Sequence, residues 1–449
     1  MKKIFYIVEI VLGFLHPLSA QEVSLTVYNQ NRALVREIRT LSIPSGKSNV
    51  TFADVAAQID PTSVHFKSLT SPDKLAILEQ NYEYDLVSAS KLMQKYVDRQ
   101  IRLVMEKGDV FEGKLLSSSG SDIVLQGRDN AIKVVQSSGV QHFDFPNLPE
   151  GLITRPTLVW MVENTGPENH NTEVSYLTAG VNWHAEYVAV VDAEEKSMDL
   201  GGWVSLENHS GATYQNAKLK LVAGDVHQVQ PRGYRGMEME ESRMLAKAAP
   251  QFEEKPFFEY HLYTLQRKTT VKDNQIKQVS LFPLSKTKIR KIFIYDGATS
   301  EKKVQVHLEF ENKKTEGLGL PLPAGKIRVL KEDADGALEF VGEDLIGHTP
   351  VDEKVRVFLG NAFDLVGERT KKTSKQISTR SLEETYEIVL RNHKKESVEI
   401  VAVEHFWGDW EISKSSHDFI KKDANTAEFP VTVPAQDEVI LTYTVTVRW

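Results

Sequence analysis

The densest group of residues that could do chemistry lies near the carboxyl end of the chain, in Glu404-His-Phe-Trp-Gly-Asp-Trp-Glu411. Trp407 and Trp410 flank a Gly-Asp pair of the kind that forms tight turns. Two indoles on one turn could stack on a sugar ring or a peptide, because aromatic faces give contact area at little entropic cost. We therefore predict a binding site at Trp407 and Trp410. The alternative is that one indole fills the core and the other caps a sheet edge, which is the commoner use of tryptophan.

Patterns for catalysis and metal binding are weak. The chain has no cysteine, and its 13 histidines include no His-x-His or His-Glu-x-x-His pair, so we predict no metal site, no cofactor and no cysteine nucleophile. Ser-x-x-Lys at Ser71, Ser88 and Ser285 is too short to mark a serine nucleophile. Asp333-Ala-Asp-Gly336 lacks the length and the final glutamate of a calcium loop. We nominate no catalytic residue, and we favour a protein that is not an enzyme.

The amino terminus has the pattern of a secretory signal peptide. Lys2 and Lys3 precede the apolar run from Ile4 to Leu15, and the small residues of Leu18-Ser-Ala20 precede an expected cut. The apolar run is shorter than the roughly 20 residues that a helix needs to span a bilayer. We expect cleavage of residues 1–20, no transmembrane helix and no lipoprotein anchor, since no cysteine is present. The expected location is the periplasm, the cell surface or the medium.

Most of the remaining chain alternates apolar and polar residues, as in Trp203-Val-Ser-Leu206 and Leu219-Lys-Leu-Val-Ala223, which predicts β-strands. A helix is predicted from the apolar face of Leu86 to Val97, with Asp85 or Ser88 as its cap. Five short strands follow the helix, and this order is typical of an SH3-like or Sm-like barrel. Residues 228–254 have no sustained apolar periodicity, which predicts a mobile loop.

The predicted fold is mainly β, with an N-terminal β segment, a small SH3/Sm-like barrel with one helix, and two β-sandwich-like units. The predicted units are a signal peptide (1–20), an N-terminal β domain (21–80), the small barrel (81–148), a sandwich-like unit that contains the mobile loop (149–310) and a C-terminal sandwich-like unit (311–449).

Several stretches of the chain resemble a known family. Gly180-Val-Asn-Trp-His-Ala-Glu-Tyr187, Gly317-Leu-Gly-Leu-Pro-Leu-Pro-Ala-Gly325 and the close from Val433 to Trp449 resemble the C-terminal domain of the mucoidy inhibitor A-like proteins. Val27-Tyr28 and Ile59-Asp-Pro61 resemble the N-terminal domain of that family. Better-known members carry a long coiled coil where the small barrel is predicted here. The resemblance implies the β architecture and export, and it implies no chemistry.

These observations predict an exported envelope protein of structural or interaction type, whose partner is an envelope protein or a glycan. The formal net charge of −8 makes nucleic acid a poor partner. One alternative is a hydrolase acting on envelope polysaccharide or peptide, although 62 acidic residues nominate no catalytic pair. A further alternative is an outer-membrane β-barrel, because Leu441 to Trp449 alternates and ends on an aromatic residue. A final sandwich strand is the favoured interpretation of that alternation.

Overall fold

The computed structural model describes residues 22–149, 152–224, 251–333 and 335–449. These residues form 30 strands and one α-helix, which confirms the mainly β prediction with sandwich-like units. The predicted signal peptide and residues 225–250, which hold most of the predicted mobile loop, lie outside the described residues.

The elements follow one another along the chain. The first strands are β1 (Glu22–Tyr28), β2 (Arg32–Ser42), β3 (Gly46–Ala53), β4 (His65–Ser68) and β5 (Leu75–Glu83). Next come α1 (Ala89–Lys95), β6 (Gln100–Met105), β7 (Val110–Ser119), β8 (Asp122–Gln126), β9 (Ile132–Gln136) and β10 (Val140–Asp144). The middle of the chain forms β11 (Thr157–Asn164), β12 (Asn169–Ala179), β13 (Val181–Val191), β14 (Ser197–Asn208), β15 (Tyr214–Ala223), β16 (Phe252–Phe257), β17 (Tyr260–Leu265), β18 (Thr269–Val271) and β19 (Gln275–Lys288). The last strands are β20 (Arg290–Asp296), β21 (Lys303–Glu311), β22 (Gly325–Glu332), β23 (Leu338–Ile346), β24 (Lys354–Ser378), β25 (Ser381–Asn392), β26 (Val398–His405), β27 (Asp409–Ser415), β28 (Ile420–Lys421), β29 (Thr426–Val433) and β30 (Asp437–Arg448).

The largest hydrophobic core lies mainly among three sheets and extends to residues of β21 and β24. An eight-stranded sheet has the order β16-β17-β15-β1-β2-β12-β4 with β18 on β15, and the others are β3-β11-β5 and β19-β14-β13-β22-β23. Trp160 and Trp183 are buried in this core. In the first sheet β1 pairs in parallel with β15, and Leu25 lies opposite Leu219. Hydrogen bonding therefore joins strands that the sequence assigned to separate units, 21–80 and 149–310.

The helix and the five strands after it have a small core of their own. Ser88 caps α1, because its hydroxyl accepts a hydrogen bond of 3.2 Å from the backbone N–H of Lys91. The strands form a sheet in the order β10-β6-β7-β8-β9 around Tyr96, Leu103 and Leu115. No described pairing joins β9 to β10, so the predicted small barrel takes the form of an open sheet.

The carboxyl-terminal strands form a nine-stranded sheet in the order β27-β30-β25-β24-β21-β20-β26-β29-β28. Its core is a second cluster of buried residues, which includes Phe293, Tyr386, Phe429 and Tyr443. Strand β24 is 25 residues long and pairs first with β21 and then with β25, so it connects the two halves of the sheet. The sheet supports the segment around Trp407 and Trp410.

The end of the predicted mobile loop is a strand. Phe252 to Glu254 open β16 and pair with β17. The Phe252 side chain is buried, and Phe252 pairs with Leu265. One buried aromatic residue therefore anchors a segment whose composition alone predicts a loop.

Candidate functional site

The two tryptophans of the predicted binding site lie in different environments. Trp410 lies on β27 and is only 5% exposed. Its indole N–H donates a hydrogen bond of 2.6 Å to the carbonyl of Ala424, and its ring centroid lies 4.7 Å from that of Phe406. The ammonium group of Lys421 covers the ring at 4.3 Å. Trp410 is thus a core residue with its polar atom satisfied.

Trp407 points to solvent and is 56% exposed. Its ring centroid lies 4.9 Å from that of Trp449, which is 50% exposed, and the two rings are tilted by 44°. Pairing of β27 with β30 sets Asp409 opposite Arg448 and so brings Trp449 beside the turn. Gly408 has a φ of 68°, and a Cβ at this position would lie 2.5 Å from the carbonyl oxygen of Arg448. The turn therefore requires glycine.

We call the exposed group the aromatic corner: Trp407, Trp449, Asp409, Glu411 and Arg448. Arg448 forms ion pairs with Asp409 at 3.6 Å and with Glu411 at 3.3 Å. All three charged side chains are more exposed than buried, so their pairing contributes little to folding and leaves donors and acceptors for a ligand. Two indole faces flanked by carboxylate and guanidinium groups can stack on a ring and hydrogen-bond its hydroxyl groups.

The sequence patterns do not predict the contact between Trp407 and Trp449. Leu441, Tyr443, Val445 and Val447 are all buried on β30, so simple alternation places Trp449 on the core face as well. The strand ends at Arg448, however, and the backbone N–H of Trp449 bonds to the carbonyl of Arg380 at 3.2 Å. No local sequence signal marks the pair, because the end of β30 at Arg448 and the register of β27 against β30 are set by long-range pairing.

Behind the corner lies a buried network of Glu404, Arg369, Tyr443 and Tyr386. Glu404 is 2% exposed and accepts hydrogen bonds from Nε and Nη2 of Arg369 at 2.8 and 2.9 Å. The Tyr443 hydroxyl donates a third hydrogen bond to this carboxylate. The guanidinium carbon of Arg369 lies 3.9 Å from the centroid of the Tyr386 ring.

The electrostatics of the buried network are those of a satisfied ion pair. Burial lowers the pKa of Arg369, but the Glu404 carboxylate outweighs burial and holds that pKa above its ordinary value. Burial, assisted by the same carboxylate, raises the pKa of the Tyr443 hydroxyl far above its ordinary value. Perturbed pKa values often mark active sites. Here the carboxylate is enclosed and its oxygens are occupied, so it cannot contact a substrate.

Within the described ranges, no group of three or more His, Asp or Glu side chains is placed to hold a metal ion. In the same part of the chain, no helix has the length and the apolar character needed to cross a membrane.

Comparison with known proteins supplies a family and no activity. No curated protein matches the chain with significant similarity. The model of a family described as a domain of unknown function (DUF4139) matches residues 172–449, which is more than half of the chain. The matched residues include β13 to β30, and so both the aromatic corner and the buried network. The likeness to the mucoidy inhibitor A-like proteins stays a prediction. The chain belongs to the family defined by this domain of unknown function, DUF4139, over residues 172–449.

Proposed function

We propose that the protein is an exported binding module of the cell envelope, that it is not an enzyme, and that it captures its ligand on the aromatic corner. The observation that carries the proposal is the pair of half-exposed indoles, Trp407 and Trp449, 4.9 Å apart. Export rests on the signal-peptide pattern of residues 1–20, and so the ligand is expected in the periplasm or at the cell surface.

The corner has the properties of a preformed recognition surface. Trp407 lies in sequence between two buried aromatic residues, Phe406 and Trp410. Their packing in the core anchors both sides of the turn. Gly408 fixes the backbone of the same turn. A rigid aromatic surface loses little conformational entropy on binding, which is why tryptophan is common at energetic hot spots. Two adjacent exposed indoles form an apolar patch of the kind that marks interaction sites on soluble proteins.

The chemistry of the corner favours a glycan over a protein partner. The tilted indoles match the apolar face of a sugar ring, and Asp409, Glu411 and Arg448 supply acceptors and donors for its hydroxyl groups. The excess of acidic residues, with a net charge of −8, disfavours a nucleic acid. We therefore expect an envelope polysaccharide of neutral or mixed charge as the ligand.

The test measures retention of the purified mature protein on immobilised envelope polysaccharide and on peptidoglycan. Trp407→Ala and Trp449→Ala should each weaken retention about tenfold or more. Tyr84→Ala is the matched control, because Tyr84 is an exposed aromatic residue far along the chain from the corner. Equal retention of all four proteins would overturn the proposal, and retention only by an envelope protein would replace the glycan with a protein partner. Release of soluble fragments from either polymer by the unmodified protein would establish the hydrolase alternative instead.

A further inference from the structure

A concave region separate from the aromatic corner lies where the five-stranded sheet that ends in β23 meets the nine-stranded sheet. We call it the junction cleft, and its volume is about 240 Å³. Its apolar lining comes from both sheets and includes Val191, Phe293, Val306, Leu308, Val329 and Leu359. The two sheets approach closely beside it, since a Cβ on Gly342 of β23 would lie 2.6 Å from the carbonyl oxygen of Leu359 on β24.

Three lysines line the same cleft, although the protein as a whole is acidic. Glu195 forms ion pairs with Lys291 and with Lys331, the latter at 2.5 Å. The third, Lys394, lies 5.1 Å from the centroid of the Phe293 ring, and no carboxylate within the described residues forms an ion pair with it. The lining contains three lysines and two acidic residues, Glu195 and the exposed Asp364. Its formal net charge is therefore +1.

Glu195 lies in the turn between β13 and β14, and the turn directs its carboxylate to the two lysines. Its φ is 58°, in the left-handed region that non-glycine residues seldom adopt. Burial raises the pKa of this carboxyl group, but the two ammonium groups outweigh burial and hold the pKa below its ordinary value. The carboxylate therefore stays charged and neutralises part of the positive potential of the cleft.

The rim of the cleft is apolar and open to solvent. Phe363 lines the cleft and is 98% exposed, and Val341 lines it from β23 and is also exposed. Together with the apolar cavity, these exposed side chains give a continuous apolar surface on which a partner could pack. The volume lies below the roughly 300–1,000 Å³ of sites for drug-sized molecules, and it fits one or two side chains.

From these features we propose that the junction cleft docks an acidic peptide segment of a partner protein. An aromatic or branched apolar side chain of the partner fills the cavity against Phe293 and Leu308, and a neighbouring Asp or Glu pairs with Lys394. The exposed rim residues Phe363 and Val341 contact the flanking residues of the peptide. This site is separate from the aromatic corner and does not depend on the function proposed for that corner.

The experiment uses the full mature chain and a fluorescently labelled peptide in which glutamate and phenylalanine alternate. Two peptides of the same length serve as controls, one with serine in place of phenylalanine and one with lysine in place of glutamate. Fluorescence anisotropy should show binding of the first peptide only. The affinity should fall as the salt concentration rises, because the charge contact is partly screened.

Two substitutions in the cleft should act in opposite directions. Lys394→Gln should weaken binding about tenfold, because it removes the cation that pairs with the peptide. Glu195→Gln should strengthen binding several-fold, since it unmasks Lys291 and Lys331. Lys107→Gln, an exposed lysine in the turn between β6 and β7, is the matched control. Trp407→Ala should leave peptide binding unchanged, which keeps this test distinct from that of the aromatic corner.

Several results would contradict the proposal. Equal binding of the serine-substituted peptide would show a purely electrostatic contact, and unchanged affinity in both cleft variants would place the contact elsewhere. Binding of octanoate without binding of the peptide would make the cleft a small-molecule site. Self-association that is lost in Phe363→Ser, measured by sedimentation, would make a second copy of the chain the occupant.

Discussion

The stretch from Glu404 to Glu411 contributes residues to both the aromatic corner and the buried network, and these residues lie in opposite surroundings. Glu404 and Trp410 point into the core of the nine-stranded sheet, and Trp407 points out of it. The difference follows from position along the backbone, since β26 ends at His405 and β27 begins at Asp409. Residues on the strands keep an inward face, whereas a residue in the turn between them is free to face solvent. Residue type alone therefore does not separate a binding surface from a core.

The two regions also differ in what they contribute to folding. A buried carboxylate stabilises the fold only while its partners are in place, because an unpaired charge in the core is strongly destabilising. The exposed indoles of the corner bury little on folding and keep their faces for a ligand. The buried network should thus respond to mutation through stability, and the corner should respond through binding.

The sharpest test of this contrast is Arg369→Met. It removes the guanidinium that holds Glu404 and leaves a buried carboxylate with the Tyr443 hydroxyl as its remaining partner in the network. We expect the free energy of unfolding to fall by about 3–5 kcal/mol, measured by urea denaturation. Lys372→Met is the matched control, because Lys372 and Glu387 form a more exposed ion pair that contributes about 1 kcal/mol or less. Equal effects of the two changes would show that burial does not distinguish these ion pairs.

The second test compares the two tryptophans directly. Trp410→Ala should lower the free energy of unfolding by about 3 kcal/mol or more, since it leaves a cavity beside Phe406. Trp407→Ala should lower it by about 1.5 kcal/mol or less, since only the contact with Trp449 is lost, and should still abolish most of the retention on polysaccharide. A stability loss in Trp407→Ala as large as that in Trp410→Ala would make Trp407 a structural residue and remove the basis of the corner.

The contrast also shows which features could be predicted from the sequence. The cap at Ser88 and the alternation of Leu441 to Val447 are local signals, and the structure has both. The neighbours of Trp407 depend on the register that sets Asp409 opposite Arg448, and no local pattern encodes that register. Lys291, Lys331, Lys394 and Glu195 line the junction cleft together only because strands distant in sequence pack together. Both candidate sites are products of long-range pairing, as is the parallel contact of β1 with β15.

A third test asks whether the two indoles of the corner act together. A double-mutant cycle of Trp407→Ala and Trp449→Ala, measured by urea denaturation, should give a coupling energy of about 0.5–1.5 kcal/mol. The reason is the direct contact of the rings at 4.9 Å. A cycle of Trp407→Ala with Tyr84→Ala should give none, because distant sites add independently. Additive effects in both cycles would mean that the tilted pair is not formed in solution.

The smallest effect is expected at the boundary between the two regions, where the ring of His405 contacts Asp296 at 3.1 Å. Burial raises the pKa of Asp296, but hydrogen bonds from Thr299 and His405 outweigh burial and hold the pKa below its ordinary value of 3.8.

A carboxyl group with a lowered pKa stabilises the fold fully above its unfolded pKa, and this stabilisation is lost as the pH falls through the folded pKa. Asp296→Asn should therefore lower the free energy of unfolding by on the order of 1 kcal/mol at pH 7 and by progressively less below pH 3.8. Urea denaturation at a series of pH values measures the difference, and Asp418→Asn, at an exposed aspartate, is the control. A difference that stays constant down to the lowest pH would show that the ionised form of Asp296 has no part in holding the corner to the core.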